Sequence, residues 1–302
     1  MSLSGKCRRL LCKLQGKKTR SFDPGILKDF PWKSTDVVIS SGAKQGTNWT
    51  LNIAHQLRML GDNTFSDILT VCLWVEFLSH PKETRRERLE RAEKHNEIFP
   101  FRIFKTHEAP PVLPFHEERK YIIPIRNGKD TLVSDYYFSQ SRTDEFNRIW
   151  GADTTRIEPF SSYLKRYIKD GAYWRFINSW WKYRHHDNVF FVHFNDLKKN
   201  PEKNIRQIAV FLNIQIPDER WPAIFEYCSF DWMKKHSVKF ESPHFTKAAK
   251  MIKDGGMIRK GMIGEHRNLF TDHDNQAWNR SHRKYFPDRQ QREWTDAGGP
   301  LP

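Results

Sequence analysis

Two periods of apolar and polar positions alternate along this chain. Val37-Val38-Ile39 is a β-branched run that reads as a buried strand. Trp49, Ile53, Leu57 and Leu60 follow at helical spacing, and Gly61 stands where that helix would stop. Residues 102–107, 120–126 and 189–194 read as three more strands, the second containing Pro124, a residue seldom found in a sheet centre. Helical patterns cover about 84–97, the stretch after Asn127 through Phe138, 161–183 with a break near Gly171, and 202–212. The first of these mixes charges of both signs and reads as a solvated face without chemistry. Pro110-Pro111 and Pro114 force a loop, and 139–161 reads as an irregular excursion. Strands alternating with helices predict an α/β fold: a single domain with a central parallel sheet flanked by helices. Ligands of such sheets bind beyond the C-terminal ends of the strands. Lys44, His107 and Arg126 each fall at such an end, so the three are expected to converge.

The stretch from Asp36 to Trp49 organises the rest. Its strand, Gly42-Ala43-Lys44-Gln45-Gly46 turn and helix form a P-loop-like layout that aims backbone N–H groups and a helix N-terminus at an anion. Two readings stand at this point, a loop that holds phosphate or sulfate and an ordinary strand-to-helix turn. A Walker loop ends in Gly-Lys-Ser/Thr, whereas here Lys44 precedes Gly46-Thr47, so the nucleotide-triphosphatase pattern is not met.

Charge and cysteine content narrow the classes. A net charge of +15 over 302 residues suggests anionic ligands, whether nucleotides, nucleic acid or a membrane surface. Seven of those charges (Lys6, Arg8, Arg9, Lys13, Lys17, Lys18 and Arg20) lie in the first twenty residues, which hold no acid. The N-terminal arm, 1–30, reads as a flexible solvated extension. Leu3, Leu10, Leu11 and Leu14 would also suit a membrane-surface helix, and a transit peptide is a further reading. Cys7, Cys12, Cys72 and Cys228 show no metal spacing and fit reduced thiols in a cytoplasmic protein. No apolar run reaches the roughly 18 residues of a membrane span, so no stable membrane insertion is expected. No metal is expected either.

Six segments, in order, carry a resemblance. They are Lys44-Gln45-Gly46-Thr47-Asn48-Trp49; Lys105-Thr106-His107; Arg126-Asn127-Gly128-Lys129-Asp130 with Ser134; Phe194 to Pro201; Ser229-Phe230 with Met233; and Arg259-Lys260-Gly261 with Gly264 and Asn268 to Thr271. Together they resemble the loop, Lys-Thr-His, Arg-Asn-x-Lys-Asp…Ser, Tyr-Glu-Asp-x-Lys-x-Asn-Pro, Ser/Thr-Phe-x-x-Met and Arg-Lys-Gly-x-x-Gly elements of the cytosolic sulfotransferases. The resemblance spans about residues 36–286. It implies a sulfotransferase domain over 31–290, with 291–302 a tail.

The resemblance implies 3′-phosphoadenosine 5′-phosphosulfate (PAPS) as sulfuryl donor and 3′-phosphoadenosine 5′-phosphate (PAP) as product. Residues 44–49 would hold the 5′-phosphosulfate. Arg126, Ser134, Arg259, Lys260 and Gly261 would hold the 3′-phosphate, for which a bidentate arginine is suited. Trp49 and Phe230 would sandwich the adenine, with Ser229 and Met233 in the same element. His107 would be the general base, Lys44 would stabilise the leaving group and Lys105 would face the sulfuryl oxygens. The acceptor, a small molecule with a hydroxyl or amine, would sit against 74–77, 138–150 and a mobile cover at 239–257 containing Pro243, Gly255 and Gly256. Arg142, Asp144, Glu145 and Arg148 make that region charged, so steroid, phenol and polar or cationic acceptors all stay open.

This chain departs from the family at four places. Gln45 and Asn48 replace a serine and a threonine, and Phe194 replaces a tyrosine, so packing is its expected role. The dimer motif survives only as Arg267…Thr271-Asp272…Gln276, which leaves a homodimer open. Golgi carbohydrate sulfotransferases carry a membrane anchor, and none is visible here, which favours a soluble enzyme. Two other classes compete: a P-loop kinase or NTPase, and a non-catalytic nucleic-acid binder whose affinity would fall steeply with salt.

Overall fold

The computed structural model describes residues 21–302 apart from 151–157 and positions 243, 245, 247 and 248. The readings of the arm before residue 21, with Cys7 and Cys12, and of Pro243 lie outside the described residues.

Five parallel strands form one sheet in the order β2-β3-β1-β4-β5. They are β1 (Val37–Ser40), β2 (Leu73–Trp74), β3 (Ile103–Thr106), β4 (Lys120–Ile125) and β5 (Val189–His193). Four were expected. β2 was not, because a two-residue edge strand has no period to read. In the centre, β1 is buried along its whole length. Its side chains alternate between the two faces: Val37 and Ile39 join the core layer with Leu51, Ile53 and Leu57, while Val38 joins the layer with Trp174, Ile177 and Trp180. Pro124 sits in β4, opposite Val192 of β5. Tyr121 N–H points to β5, donating to the Asn188 carbonyl. By alternation the missing N–H of Pro124 faces β1, whose pairing with β4 has already ended at Ile122.

Helices cover both faces. Thr47–Arg58 follows β1, Arg85–Ile98 starts in a Thr84/Glu87 capping box, and Gly128–Gln140 follows β4, with the Asn127 side chain accepting from the Lys129 and Asp130 N–H groups. Phe160–Asp170 and Ala172–Trp181 are separated at Gly171 (φ 68°), and Pro201–Leu212 buries the expected inner face. The 139–161 region is not wholly irregular. Asp144–Trp150 is a helix that buries Phe146 and Trp150, one turn apart, beneath a charged outer face.

Residues on either side of 31–290 also pack against it. Phe22 to Phe30, read as part of the arm, pack on the sheet: Phe22 bridges Phe77, and Ile26, Leu27 and Phe30 are buried. Across the other boundary, Arg289–Ala297 is a helix with Gln291 and Trp294 buried. At the sheet's N-terminal edge Arg102 donates two 2.7 Å hydrogen bonds to the buried Asp36 carboxylate. That bidentate pair ties the starts of β1 and β3 and lies opposite the end where ligands bind. Removing one partner of such a pair typically costs about 3–5 kcal/mol.

Candidate functional site

The register that sets Ser40 beside Thr106 brings the segments after β1 and β3 to one edge of the sheet. Those after β4 and β5 reach it too. A cavity of about 370 Å³ opens there. Lys44, Gly46, Thr47, Asn48, Trp49, Lys105, His107, Arg126, Ser134, Phe230, Met233, Arg259, Lys260 and Gly261 line it. Two expected residues do not. Gln45 is buried, its amide folded under Gly42, where a Cβ would lie 2.5 Å from Gln45 Nε2. Ser229 instead caps Phe230–Lys235, its hydroxyl accepting from Trp232 N–H. Ser21, Phe22, Leu69, Asp135 and Lys198 line the cavity without having been singled out.

At the loop, Lys44 has φ 63° and Gly46 φ 103°. The left-handed backbone at a lysine is strain of the kind found where a loop is shaped for a ligand. The helix Thr47–Arg58 has no side-chain cap at Gly46, which leaves its first N–H groups without a cap from that position. Asn48 donates from its amide to the Phe240 carbonyl, and Trp49 Nε1 donates to Cys228, fixing both against the far wall.

The Lys44 ammonium lies 4.0 Å from the centroid of the Phe138 ring. Burial lowers its pKa to about 8, with Asp135 opposing and Arg126 and Arg259 adding to the shift. Lys105 sits 3.4 Å above the Trp74 ring. Its pKa falls to about 7, from burial first and then from Lys44, against the pull of Glu76. Two cations with lowered pKa values, Lys105 buried and Lys44 half-buried, form a site that an anion would relieve.

His107 is held on three sides. Its Nδ1–H donates to the Ser41 carbonyl at 2.6 Å, which leaves Nε2 as the free basic nitrogen. Its backbone N–H donates to Glu76 Oε1 at 3.1 Å, and Thr106 Oγ donates to the same oxygen at 2.6 Å. The Trp74 ring meets the imidazole edge-on at 4.9 Å. Burial, then the Lys105 charge, depress the His107 pKa to about 3, so the ring is neutral at working pH.

A second cationic cluster lines the same cavity. The Arg126 guanidinium stacks 4.6 Å from the Phe194 centroid and donates to the Met262 carbonyl at 2.8 Å. Thus Phe194, where the family has tyrosine, packs as expected and also lines the cavity. Arg126 Nε is buried without a partner among the described residues. Arg259 is paired with Glu265 through both of its terminal nitrogens, and Lys260 Nζ reaches the same carboxylate at 3.3 Å. Asp130 pins this turn by accepting from Gly264 and His266 N–H groups. Gly261 (φ 56°) lets the backbone cross the face of Phe230, where a Cβ would stand 2.6 Å from the ring.

No helix among the described residues is long and apolar enough to cross a membrane. A family model described as "Sulfotransferase domain" matches residues 34–288. Dog Sulfotransferase 1B1 is 28% identical over 267 residues, covering 85% of this chain and 86% of that protein. Rat Sulfotransferase 1A1 is 26% identical, covering 87% and 89%. Among solved structures, mouse sulfotransferase SULT7A1 complexed with PAP superposes with a TM-score of 0.69 at 21% identity, covering 94% of each chain. Retinol dehydratase in a complex with retinol and PAP gives 0.70 at 17% identity, covering 95% and 96%.

Proposed function

The chain belongs to the sulfotransferase domain family, and from that premise we propose that it moves the sulfuryl group of PAPS to a hydroxyl on a small aromatic acceptor. The observation that carries this is a single cavity lined both by Lys44, Lys105 and His107 and by a second basic pair, Arg126 and Arg259. A donor charged at both ends needs two anion cradles, one for the 5′-phosphosulfate and one for the 3′-phosphate.

The N–H groups of residues 44–49 and the start of the helix after them receive the phosphosulfate. Arg126, with Ser134, Arg259 and the backbone at 260–261, receives the 3′-phosphate. Trp49 and Phe230 flank the adenine. His107 Nε2 removes the acceptor proton as the new oxygen–sulfur bond forms. The bond between sulfur and the bridging phosphate oxygen breaks, and Lys44 balances the charge appearing on that oxygen. Lys105 faces the sulfuryl oxygens. PAP leaves as the product.

The acceptor end favours an apolar body. Phe22, Trp74, Phe77, Phe146, Trp150 and Met251 form its walls. Trp74 and Phe77 stack at 4.7 Å and 17°, and Phe77 lies parallel to Phe146 at 6.4 Å and 16°. Such parallel faces suit a planar ring. A screen of phenols, alcohols and amines with donor labelled in its sulfuryl group tests the reading. We expect label transfer to planar phenols above all, and transfer lower by about a hundredfold or more to any acceptor in Lys44→Met protein. Failure of every hydroxyl acceptor, with transfer only to amines, would contradict it.

A further inference from the structure

Most charged side chains around the cavity already have a task in the proposed transfer. Lys44, Lys105 and His107 serve the sulfuryl end, and Arg126, Arg259 and Lys260 the 3′-phosphate. Lys198 lies 5.0 Å from the ring of Phe230, beside the expected adenine face. Asp135 accepts from the Tyr163 hydroxyl at 2.6 Å and adds negative charge near Lys44. Arg142 has no such task. It lines the same cavity as the aromatic residues Phe138, Phe146 and Trp150. No acid among the described residues pairs with it, although Asp144 and Glu145 follow closely in sequence and are exposed.

Its backbone is fixed. Arg142 bridges Ile252, Lys253 N–H donates to the Ser141 carbonyl at 2.8 Å, and Thr143 N–H donates to Met251 at 3.1 Å. These bonds stitch the end of the helix Gly128–Gln140 to the segment covering the cavity. The guanidinium lies 5.9 Å from the centroid of the Phe138 ring, the same ring that carries the Lys44 ammonium at 4.0 Å. The two cations can therefore be no farther apart than those two distances combined, about the length of one substituted benzene ring.

We propose that Arg142 reads an anionic group on the acceptor, so that the preferred substrate is a compact phenol carrying a carboxylate opposite the hydroxyl that is sulfated. A half-buried arginine between aromatic walls offers a planar fork to a carboxylate, and a charged hydrogen bond in such a setting is worth roughly tenfold or more in affinity. The inference rests on the sulfotransferase reading above and refines its acceptor.

The test compares 4-hydroxyphenylacetate with its methyl ester and with 4-hydroxyphenethylamine. It measures kcat/KM with PAPS, and binding to PAP-loaded protein by calorimetry. In the unmodified protein we expect the acid to exceed the ester by about tenfold or more in both readings. Arg142→Met should bring the acid-to-ester ratio near one, and Arg142→Glu should turn the preference towards the amine. An acid-to-ester ratio near one in the unmodified protein, or a ratio that Arg142→Met does not move, overturns the proposal. So does PAP-loaded protein that binds neither acid nor ester; the donor reading would then still stand. Absence of PAP binding would instead contradict the donor reading itself.

Discussion

His107→Ala should bind PAP as tightly as the unmodified protein and lose on the order of 10²–10⁴-fold in kcat. The Ser41 carbonyl fixes the proton on Nδ1, so Nε2 is the only basic atom the imidazole presents to the cavity. Alanine removes it without disturbing Glu76 or Thr106, whose hydrogen bonds involve the backbone N–H of residue 107 and each other. The pH profile should carry the same signature. A base works unprotonated, and burial with Lys105 holds His107 near pH 3, so kcat/KM should stay level well below the ordinary histidine pKa of about 6.5. The lysines work protonated. Lys105 at about 7 and Lys44 at about 8 should bring kcat/KM down as pH rises through that range, far below the ordinary lysine pKa of about 10.4. Activity retained within tenfold in His107→Ala, or a fall on the acid side near pH 6.5, would contradict this role.

Lys44→Met should lower kcat by about 10²–10³-fold while PAP affinity changes much less. Methionine keeps an unbranched side chain of similar length, and only the ammonium contacts to the Phe138 ring and Met257 Sδ are lost. What is lost is a cation whose charge matters most when the bridging oxygen becomes negative, and an interaction made only then lowers kcat rather than binding. Single-turnover measurements with saturating donor separate the two. A variant that loses PAP affinity in proportion to rate would show Lys44 to be a ground-state phosphate contact.

The loop at 42–46 was legible because its signal is local: a β-branched run, two glycines around a lysine and a stripe with helical spacing all fall within about twenty residues. Lys44, His107 and Arg126 could be expected to converge because parallel strands deliver their C-terminal ends to one edge. Other features rest on contacts between distant segments. Phe22 reaches the acceptor wall through a bridge to Phe77, and the Arg102–Asp36 pair joins residues 66 apart in sequence. Local patterning carries no trace of either. Gln45 occupies a polar motif position yet turns inward, because Gly42 has no Cβ to keep its amide out. Ser229 carries a similar ambiguity. A serine before a helix satisfies a capping position as readily as a ligand, and here it caps. The helix Asp144–Trp150 was hidden because only Phe146 and Trp150 mark its inner face within a charged run.

The central claim is that two separate cationic cradles grip opposite ends of one donor, and isothermal calorimetry of the unmodified protein with PAP and with ADP tests it most directly. Both ligands carry adenosine and phosphate at the 5′ position, but only PAP offers a 3′-phosphate to Arg126 and Arg259. PAP should bind at least about a hundredfold more tightly than ADP, as expected when charged hydrogen bonds to a phosphate are lost. Arg126→Ala should remove most of that difference. Equal affinities for PAP and ADP, or no measurable binding of PAP, would contradict the account.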